Sequence, residues 1–423
     1  MTGLLMRNLD RLPTPVRWMA LTTAGILVLA IIQFFTDSDK LTAGTTAGAM
    51  LRWAVPIMLA GLGGLFAERA GVVNIGLEGM MILGMWFGAW GTINYGPWPG
   101  LAIGIAGGAL GALVHAIATV SFGVDQIISG VAILIAAPAV TRYLSLEIFD
   151  DYEGGSITQS PRLDSAGKFT FPFLSGGDVF GWRSPDILGW FRDRDWAVIS
   201  DLAEVFRGLT FNLSIFTVVA YAMVPLTAWV LWRTRFGLRI RICGEHPTAG
   251  EAQGINIYLY KYVAVIISGG LAGFGGAFIA TPELGGIYQE GSTNNQGFIG
   301  LAALIIGNWR PAGVMAGALL FAYPRALGLR DLDGGSTHAL LLVSALALFA
   351  IAVNSFRRGH RVDTVLAGGI GGASLIWFLM SDTVDDWFVD ILPFIIVLLV
   401  LTFFSQRLRM PATAGQAYRK GES

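Results

Sequence analysis

The chain has 423 residues, of which 54% are hydrophobic and 13% are charged, and its formal net charge is −1. In a soluble domain roughly a quarter of the residues are charged, so this composition indicates a protein of the lipid bilayer. The small net charge excludes a basic field for nucleic acid, and the single cysteine excludes a disulfide framework or a thiolate metal cluster, so we expect no metal site and no cofactor.

Apolar segments follow one another along most of the chain. The first, 16–35, is long enough to span a bilayer and lacks an A-x-A cleavage site beyond it, which predicts an uncleaved first span. Further segments lie at 48–66, 76–93, 99–121, 126–145, 211–232, 262–281, 298–308, 312–328, 337–356, 362–380 and 391–406. Segment 298–308 is too short for an ordinary span and is a candidate half-helix or re-entrant piece. We therefore predict ten to twelve transmembrane segments.

Lysine and arginine in the short loops predict the orientation of these spans. If the N-terminus is cytoplasmic, the basic stretches 233–261, 357–361 and 407–420 fall on its side of the membrane, and few basic residues remain in the outer loops. The opposite topology would reverse this excess. Both termini are therefore predicted to be cytoplasmic.

Two polar regions interrupt the apolar pattern. Residues 146–210 are predicted to lie outside the cell, and within them 186–208 has apolar residues at helical spacing beside charges, as in an interfacial amphipathic helix. A solvated loop with one helix explains this region equally well. The second region, 233–261, is predicted to be cytoplasmic. Pro247 at a first helical turn and Gly254 just past a last one predict a short helix of about two turns there.

Glycine-rich stretches predict close helix packing. "GIAGGALGALVHA" (104–116) and "SGGLAGFGGAFIA" (268–280) place small residues four apart. This spacing lets helix backbones approach where lipid supplies no hydrophobic drive. A tightly packed bundle is expected.

The stretch "AGVVNIGLEG" (70–79) places an asparagine and a glutamate between apolar spans. An ionised carboxylate at mid-bilayer costs about 2.5–3.5 kcal/mol, so Glu78 is expected at an interface, in a pair or in a polar cavity. The glycines of this stretch permit an unwound or re-entrant backbone. Asn74 has two possible roles, solute contact and an interhelical hydrogen bond. Together with "STNNQGF" (292–298), the stretch predicts a solute pathway approached by Asn74, Glu78, Asn295 and Gln296.

Other polar residues and motifs carry simpler expectations. Glu68 and Arg69 follow the apolar run 48–66 and are expected at the inner interface, paired with cytoplasmic loops. His115 lies on a predicted span and is expected to be packed or hydrogen-bonded. No G-x-x-x-x-G-K-[ST], H-E-x-x-H or G-x-S-x-G sequence occurs. We therefore expect no enzyme activity in this chain and no ATP bound through a Walker-type loop.

Three stretches resemble a known family: "GGLFAERAGVVNIGLEGMMILG", "GLRIRICGEHPTAGEAQGINIYLYKYVAVIISGGLAGFGGAF" and "GFIGLAALIIGNWRPAGVMAGALLFA". They are similar to permease subunits of bacterial ABC importers in the ribose, branched-chain amino-acid and nucleoside superfamily, over residues 45–356. The "ERAGVVNIGLEG" string is most similar to the nucleoside branch, which depends on basic membrane lipoproteins. Ribose-type permeases usually have a GGIDLSVG-like string at that place.

The resemblance implies an all-α polytopic bundle with broken or re-entrant pieces and a cytoplasmic coupling helix, in a bacterial inner membrane. Its implied partners are cytoplasmic ABC ATPase subunits, a second related permease and an extracytoplasmic solute-binding lipoprotein, besides membrane lipid. "GEHPTAGEAQGIN" (244–256) matches the family's coupling segment, with His246 where asparagine is more usual. The residues assigned to ATPase coupling are Gly244, Glu245, His246, Pro247, Glu251, Ala252 and Gly254.

These expectations divide the chain and leave more than one function open. The divisions are an N-terminal transmembrane half (1–145), an extracytoplasmic insertion (146–210), a C-terminal transmembrane half with the coupling segment (211–356), and additional spans with a cytoplasmic tail (357–423). The favoured function is nucleoside import. The alternatives are a permease for a simple sugar or another neutral polar solute, and an ion-coupled secondary transporter.

Overall fold

The computed structural model describes residues 14–179 except 37 and 39, residues 182–330 except 195, 197 and 198, residues 335–385 and 408–419, and a few positions between 388 and 402. Its helices are α1 (Thr14–Thr36), α2 (Gly44–Arg69), α3 (Leu77–Tyr95), α4 (Pro97–Ala116), α5 (Gln126–Ile148), α6 (Ile187–Arg192), α7 (Ile199–Gly208), α8 (Ile215–Arg233), α9 (Arg235–Glu245), α10 (Pro247–Ala252), α11 (Ile257–Ala280), α12 (Gln296–Ile306), α13 (Pro311–Gly328), α14 (Gly335–Arg357) and α15 (Arg361–Met380). A turn of π-helix, Ile117–Ser121, continues α4. The strands are β1 (Lys168–Phe169), β2 (Asp178–Val179), β3 (Trp182–Arg183) and β4 (Leu213–Ser214), and β2 pairs antiparallel with β3.

Seven of the described helices are long and apolar enough to cross a membrane: α2, α4 with its π-helical turn, α5, α8, α11, α14 and α15. The predicted segments 16–35, 76–93 and 312–328 also form long helices, α1, α3 and α13. Helix α12 has 11 residues, which is about 16 Å and half the hydrocarbon thickness. Most of 391–406 lies outside the described residues. The all-α polytopic class is confirmed, while the number of spans stays a prediction.

The chain forms two compact units, each built from segments that are distant in sequence. Unit 1 contains Met1–Met50, Phe169–Leu213 and Tyr323–Leu392, and unit 2 contains Leu51–Lys168, Ser214–Ala322 and Pro393–Ser423. All the residues predicted for the solute pathway and for ATPase coupling belong to unit 2. The division into four regions in sequence order stays a proposal.

The core of unit 2 is built on α3, α4 and α11, whose backbones approach closely. A Cβ atom added to Gly108 of α4 would lie 2.5 Å from the Gly273 Cα of α11, and one added to Gly104 would lie 2.7 Å from the Ala277 Cβ. Both distances are shorter than real Cβ contacts, so only glycine fits. The packing predicted from the small-residue spacing is confirmed.

In unit 1, the region expected to contain one amphipathic helix contains two, α6 and α7. Asp186 accepts from the Gly189 amide at 2.7 Å, which caps α6, and its other oxygen pairs with Arg207 of α7 at 2.9 Å. This ion pair ties the two short helices together. The acidic side of α7 faces the protein, because Glu204 accepts from the Gly44 amide at 3.0 Å, whereas Phe206 is exposed.

Candidate solute pathway and coupling segment

The α2–α3 connection, residues 70–76, is an irregular and mostly buried stretch of unit 2. It begins with Gly71 at φ +83°, a left-handed conformation that glycine adopts without strain. Asn74 is fully buried. Its amide nitrogen donates to the Ser268 hydroxyl of α11 at 3.0 Å, and its Oδ1 has no partner within the described part of the chain. The unwound backbone is confirmed, and the interhelical hydrogen bond is present.

Two side chains hold the backbone of Val73 in this connection. Gln126 Oε1 accepts from the Val73 amide at 2.6 Å, and His115 Nε2 lies 3.3 Å from the Val73 carbonyl. Because a carbonyl oxygen only accepts, Nε2 carries a proton, and in the neutral ring Nδ1, 2.9 Å from the Ser129 hydroxyl, is the acceptor. The hydrogen-bonded, buried role predicted for His115 is confirmed. Gln126, Ser129 and Ser268 were not singled out from the sequence, although they are polar residues inside apolar segments.

Glu78 lies in the first turn of α3 and caps the start of α12. Its carboxylate accepts from the Asn295 amide at 3.1 Å and from the Gly297 amide at 2.6 Å. Asn295 is exposed and left-handed at φ +61°. Gln296 is buried, and neither polar atom of its side chain has a hydrogen-bond partner in the described residues. The structure therefore groups Glu78, Asn295 and Gln296, while the contacts of Asn74 go to other residues.

The short helix predicted between Pro247 and Gly254 is present as α10. Gly254 ends it at φ +77°. Gly250 faces inward, where an added Cβ would lie 2.7 Å from Ile242 and 3.1 Å from Ile257. The exposed positions of the surrounding segment are His246, Thr248, Ala249, Ala252, Gln253 and Gly254. The predicted coupling helix therefore has one face against the protein and one face open.

Glu245 and Glu251 are less exposed than free solvent-facing charges would be. Glu245 forms an ion pair with Arg69 at 3.5 Å, and Glu251 accepts a hydrogen bond from the Tyr418 hydroxyl. Both glutamates are half-buried. The open face of α10 is therefore formed by small and uncharged polar residues, together with His246.

The end of α2 connects the coupling segment to a buried polar pair. Arg69, besides its ion pair with Glu245, donates to the Trp309 carbonyl at 2.8 Å. The Trp309 indole donates to the Glu68 carboxylate at 2.5 Å, and Glu68 is buried. Gly244 packs directly on the Arg69 backbone. The expected pairing of Arg69 with the polar loop is confirmed, and Trp309 is a partner that the sequence did not indicate.

Comparisons with known proteins agree with the resemblance seen in the sequence. Residues 46–352 match the family described as branched-chain amino acid transport system / permease component. The guanosine ABC transporter permease protein NupQ of Bacillus subtilis is 34% identical over 76% of this chain and 94% of its own length. The nucleoside ABC transporter permease protein NupC of Lactococcus lactis is 35% identical over 64% of this chain and 78% of its own length.

A third relative carries a different solute in its name. The putative glucose ABC transporter permease protein TsgC13 of Haloferax volcanii is 32% identical over 67% of this chain and 76% of its own length. No solved structure matches the chain. The family match covers both the α2–α3 connection and α10, and the chain belongs to the branched-chain amino acid transport system permease family of multi-pass membrane transport subunits.

Proposed function

We propose that this chain is the permease subunit of an ATP-driven importer and that its solute is a nucleoside. NupQ and NupC, named for guanosine and nucleoside transport, support the solute class. The observation that carries the mechanism is the direct contact of Gly244, in the last turn of α9 just before α10, with the end of α2 and the beginning of the α2–α3 connection. A motion of α10 would be passed through this contact to the α2–α3 connection.

This contact transmits force mainly by packing. A Cβ added to Gly244 would lie 3.0 Å from the Gly71 amide nitrogen and closer still to the Arg69 backbone, so the end of α9, which leads into α10, cannot move toward the α2–α3 connection without displacing it. The ion pair between Arg69 and Glu245 contributes less, because a partly exposed pair is worth about 0–1 kcal/mol. Steric contact is therefore the stronger link.

The solute pathway in this proposal is approached by Asn74, Glu78, Asn295 and Gln296. Buried polar atoms without partners cost about 1–3 kcal/mol each, and among the described residues Asn74 Oδ1 and the Gln296 side-chain amide have no hydrogen-bond partner. A nucleoside has hydroxyl groups and base nitrogens that can donate to and accept from them. Glu78 holds the start of α12, so it would position Gln296 for solute contact.

ATP hydrolysis belongs to partner subunits in this proposal. An ATPase subunit would bind the open face of α10 on the cytoplasmic side, a binding lipoprotein would deliver the solute from outside, and a second permease would complete the membrane part. The matched ABC permeases support this assignment.

The function is tested by transport in proteoliposomes that contain the permease pair, the ATPase subunits and the lipoprotein. We expect ATP-dependent uptake of labelled guanosine or uridine, with competition by unlabelled nucleosides and no uptake of glucose. ATP-dependent uptake of glucose alone would support the sugar permease instead. Uptake driven by an ion gradient without ATP would support a secondary transporter.

Coupling through α10 is tested by Ala252→Pro, with Ala252→Ser as the matched control. Proline in a helix removes an amide donor and clashes with the preceding turn, at a cost of about 3 kcal/mol. We expect the proline variant to reach the membrane but to lose uptake and solute-stimulated ATPase activity, and the serine variant to retain both. If the proline variant transports like the wild type, α10 has no role in coupling.

A further inference from the structure

Residues 408–419, the C-terminal strap, lie against the last turn of α9, just before α10. The Thr413 amide donates to the Gly244 carbonyl at 2.9 Å, and the Thr413 hydroxyl donates to the same oxygen at 2.8 Å. The Ala412 amide lies 3.4 Å from a carboxylate oxygen of Glu245. The strap is therefore bonded to the residues that immediately precede α10.

The distal end of the strap reaches α10 itself and the start of α11. The Tyr418 hydroxyl donates to the Glu251 carboxylate. The Tyr418 ring centre lies 5.7 Å from that of Tyr258 and 5.6 Å from the Lys261 ammonium, a distance at which a cation and an aromatic face attract. Burial and the Glu251 carboxylate raise the pKa of Tyr418 to about 12, so the hydroxyl remains a donor at neutral pH.

The strap also contacts the other elements that meet at the coupling segment. The Arg409 amide donates to the Asn308 side chain at 2.8 Å. A Cβ added to Gly71 in the α2–α3 connection would lie 2.9 Å from the Thr413 hydroxyl. The strap therefore bridges the α2–α3 connection, the segment 244–251 and Asn308.

The strap occupies one side of α10 and leaves the other open. Thr248, Ala249 and Ala252 of α10 are exposed, and so are Met410, Ala412 and Gly415 to Ala417 of the strap. These exposed positions belong to two neighbouring segments held together by the Tyr418 and Thr413 contacts. Exposed positions therefore lie on both segments, next to the contacts that join the strap to α10 and to the end of α9.

We propose that the strap is a second part of the ATPase-docking surface, which holds α10 in its binding orientation and forms the wall beside it. The proposal rests on the proposed function, because it takes α10 as the ATPase contact. The strap lies beyond the family match, which ends at residue 352. The strap residues are positioning residues, which act through α10.

The experiment measures binding of the ATPase subunit to the full permease pair in lipid nanodiscs. One variant ends after Arg407 and lacks the strap, and its control ends after Arg419 and keeps it. We expect the variant that lacks the strap to have a dissociation constant at least about tenfold higher, a change of about 1.4 kcal/mol. We also expect it to lose solute-stimulated ATPase activity. The control should match the wild type in both.

Two point variants keep the test decisive if the shortened chain does not fold. Tyr418→Phe keeps the ring contacts but loses the bond to Glu251, and Tyr418→Ala loses both. We expect a graded loss of binding, larger for alanine, at an unchanged expression level and unchanged unfolding temperature. A merely structural strap would lower the unfolding temperature and leave binding by the folded fraction unchanged.

The outcomes separate this proposal from the proposed function. If Ala252→Pro abolishes stimulated ATPase activity while the strap variants bind and respond like the wild type, the strap has no docking role and coupling through α10 stands. Tighter binding after removal of the strap would also overturn the proposal, because the strap would then cover the surface. If neither change affects the ATPase, coupling through α10 fails and the strap proposal fails with it.

Discussion

Glu78 shows how a carboxylate is accommodated deep in this bundle. Its two oxygens accept from the amides of Asn295 and Gly297 at the start of α12. The first amides of a helix have no partners within it and carry a partial positive charge. The carboxylate therefore accepts hydrogen bonds from amides that would otherwise be unsatisfied. The starts of α3 and α12 stabilise each other through these bonds, although they are 217 residues apart in sequence.

We expect Glu78→Gln to assemble but to transport less than the wild type. Glutamine has one acceptor oxygen, so one of the two amides loses its partner, at a cost of about 1–3 kcal/mol. Nucleoside uptake and the unfolding temperature of the purified complex are the measurements. Glu153→Gln, at an exposed position, is the control.

The two measurements separate the roles of Glu78. Reduced uptake at an unchanged unfolding temperature would indicate a contact with the solute, and a loss of both would indicate the capping role. Wild-type uptake and wild-type stability together would remove Glu78 from both roles.

The polar residues of the site could be selected from the sequence, but their partners could not. Asn74 and Glu78 stand out because polar side chains are costly in an apolar segment. Glu78, however, binds backbone amides, which every residue has and which leave no signature. The Ser268 partner of Asn74 and the Trp309 partner of Glu68 are distant in sequence. Spacing along one helix contains no information about such contacts.

At the scale of elements, the contact between α4 and α11 was predictable because its determinant is local. Small residues four apart mark one helix face, and the structure brings Gly108 of α4 against Gly273 of α11. The extent of α10 was equally predictable from Pro247 and Gly254. The pairing of α6 with α7 was not, since it is made by the ion pair of Asp186 with Arg207, which are 21 residues apart.

We expect Gly108→Ala to destabilise the protein and Gly369→Ala to leave its stability unchanged or raise it. Alanine at 108 would force its Cβ to 2.5 Å from the Gly273 Cα, and overpacking of this kind costs typically 1–3 kcal/mol. Gly369 of α15 has open space around the added Cβ, so the helix propensity of alanine, worth roughly 1 kcal/mol over glycine, is gained without a clash. Thermal unfolding in detergent measures both. Equal stability of the two variants would contradict the close packing.

At the scale of the whole molecule, the orientation in the membrane is testable by cysteine labelling. Cys243 is buried, and burial raises the pKa of its thiol to about 11, so the native chain should give little background reaction near neutral pH. We expect Thr248→Cys and Arg358→Cys to react in intact cells only with membrane-permeant maleimides. Glu153→Cys should react with an impermeant reagent. Labelling of Thr248→Cys by the impermeant reagent would show that α10 lies outside the cell and that the predicted topology is wrong.

The close backbone contacts in unit 2 limit which parts can move during transport. Helices α3, α4 and α11 approach most closely at glycines, where Gly84 and Gly108 lie directly against the backbone of α11 at Gly273. Packed interfaces of this kind switch between discrete arrangements and do not deform gradually. We therefore expect the three helices to move together as one rigid body. For the proposed transport cycle, we expect the alternation between outward and inward access to involve the parts joined to these helices by polar contacts, the α2–α3 connection and the short α12.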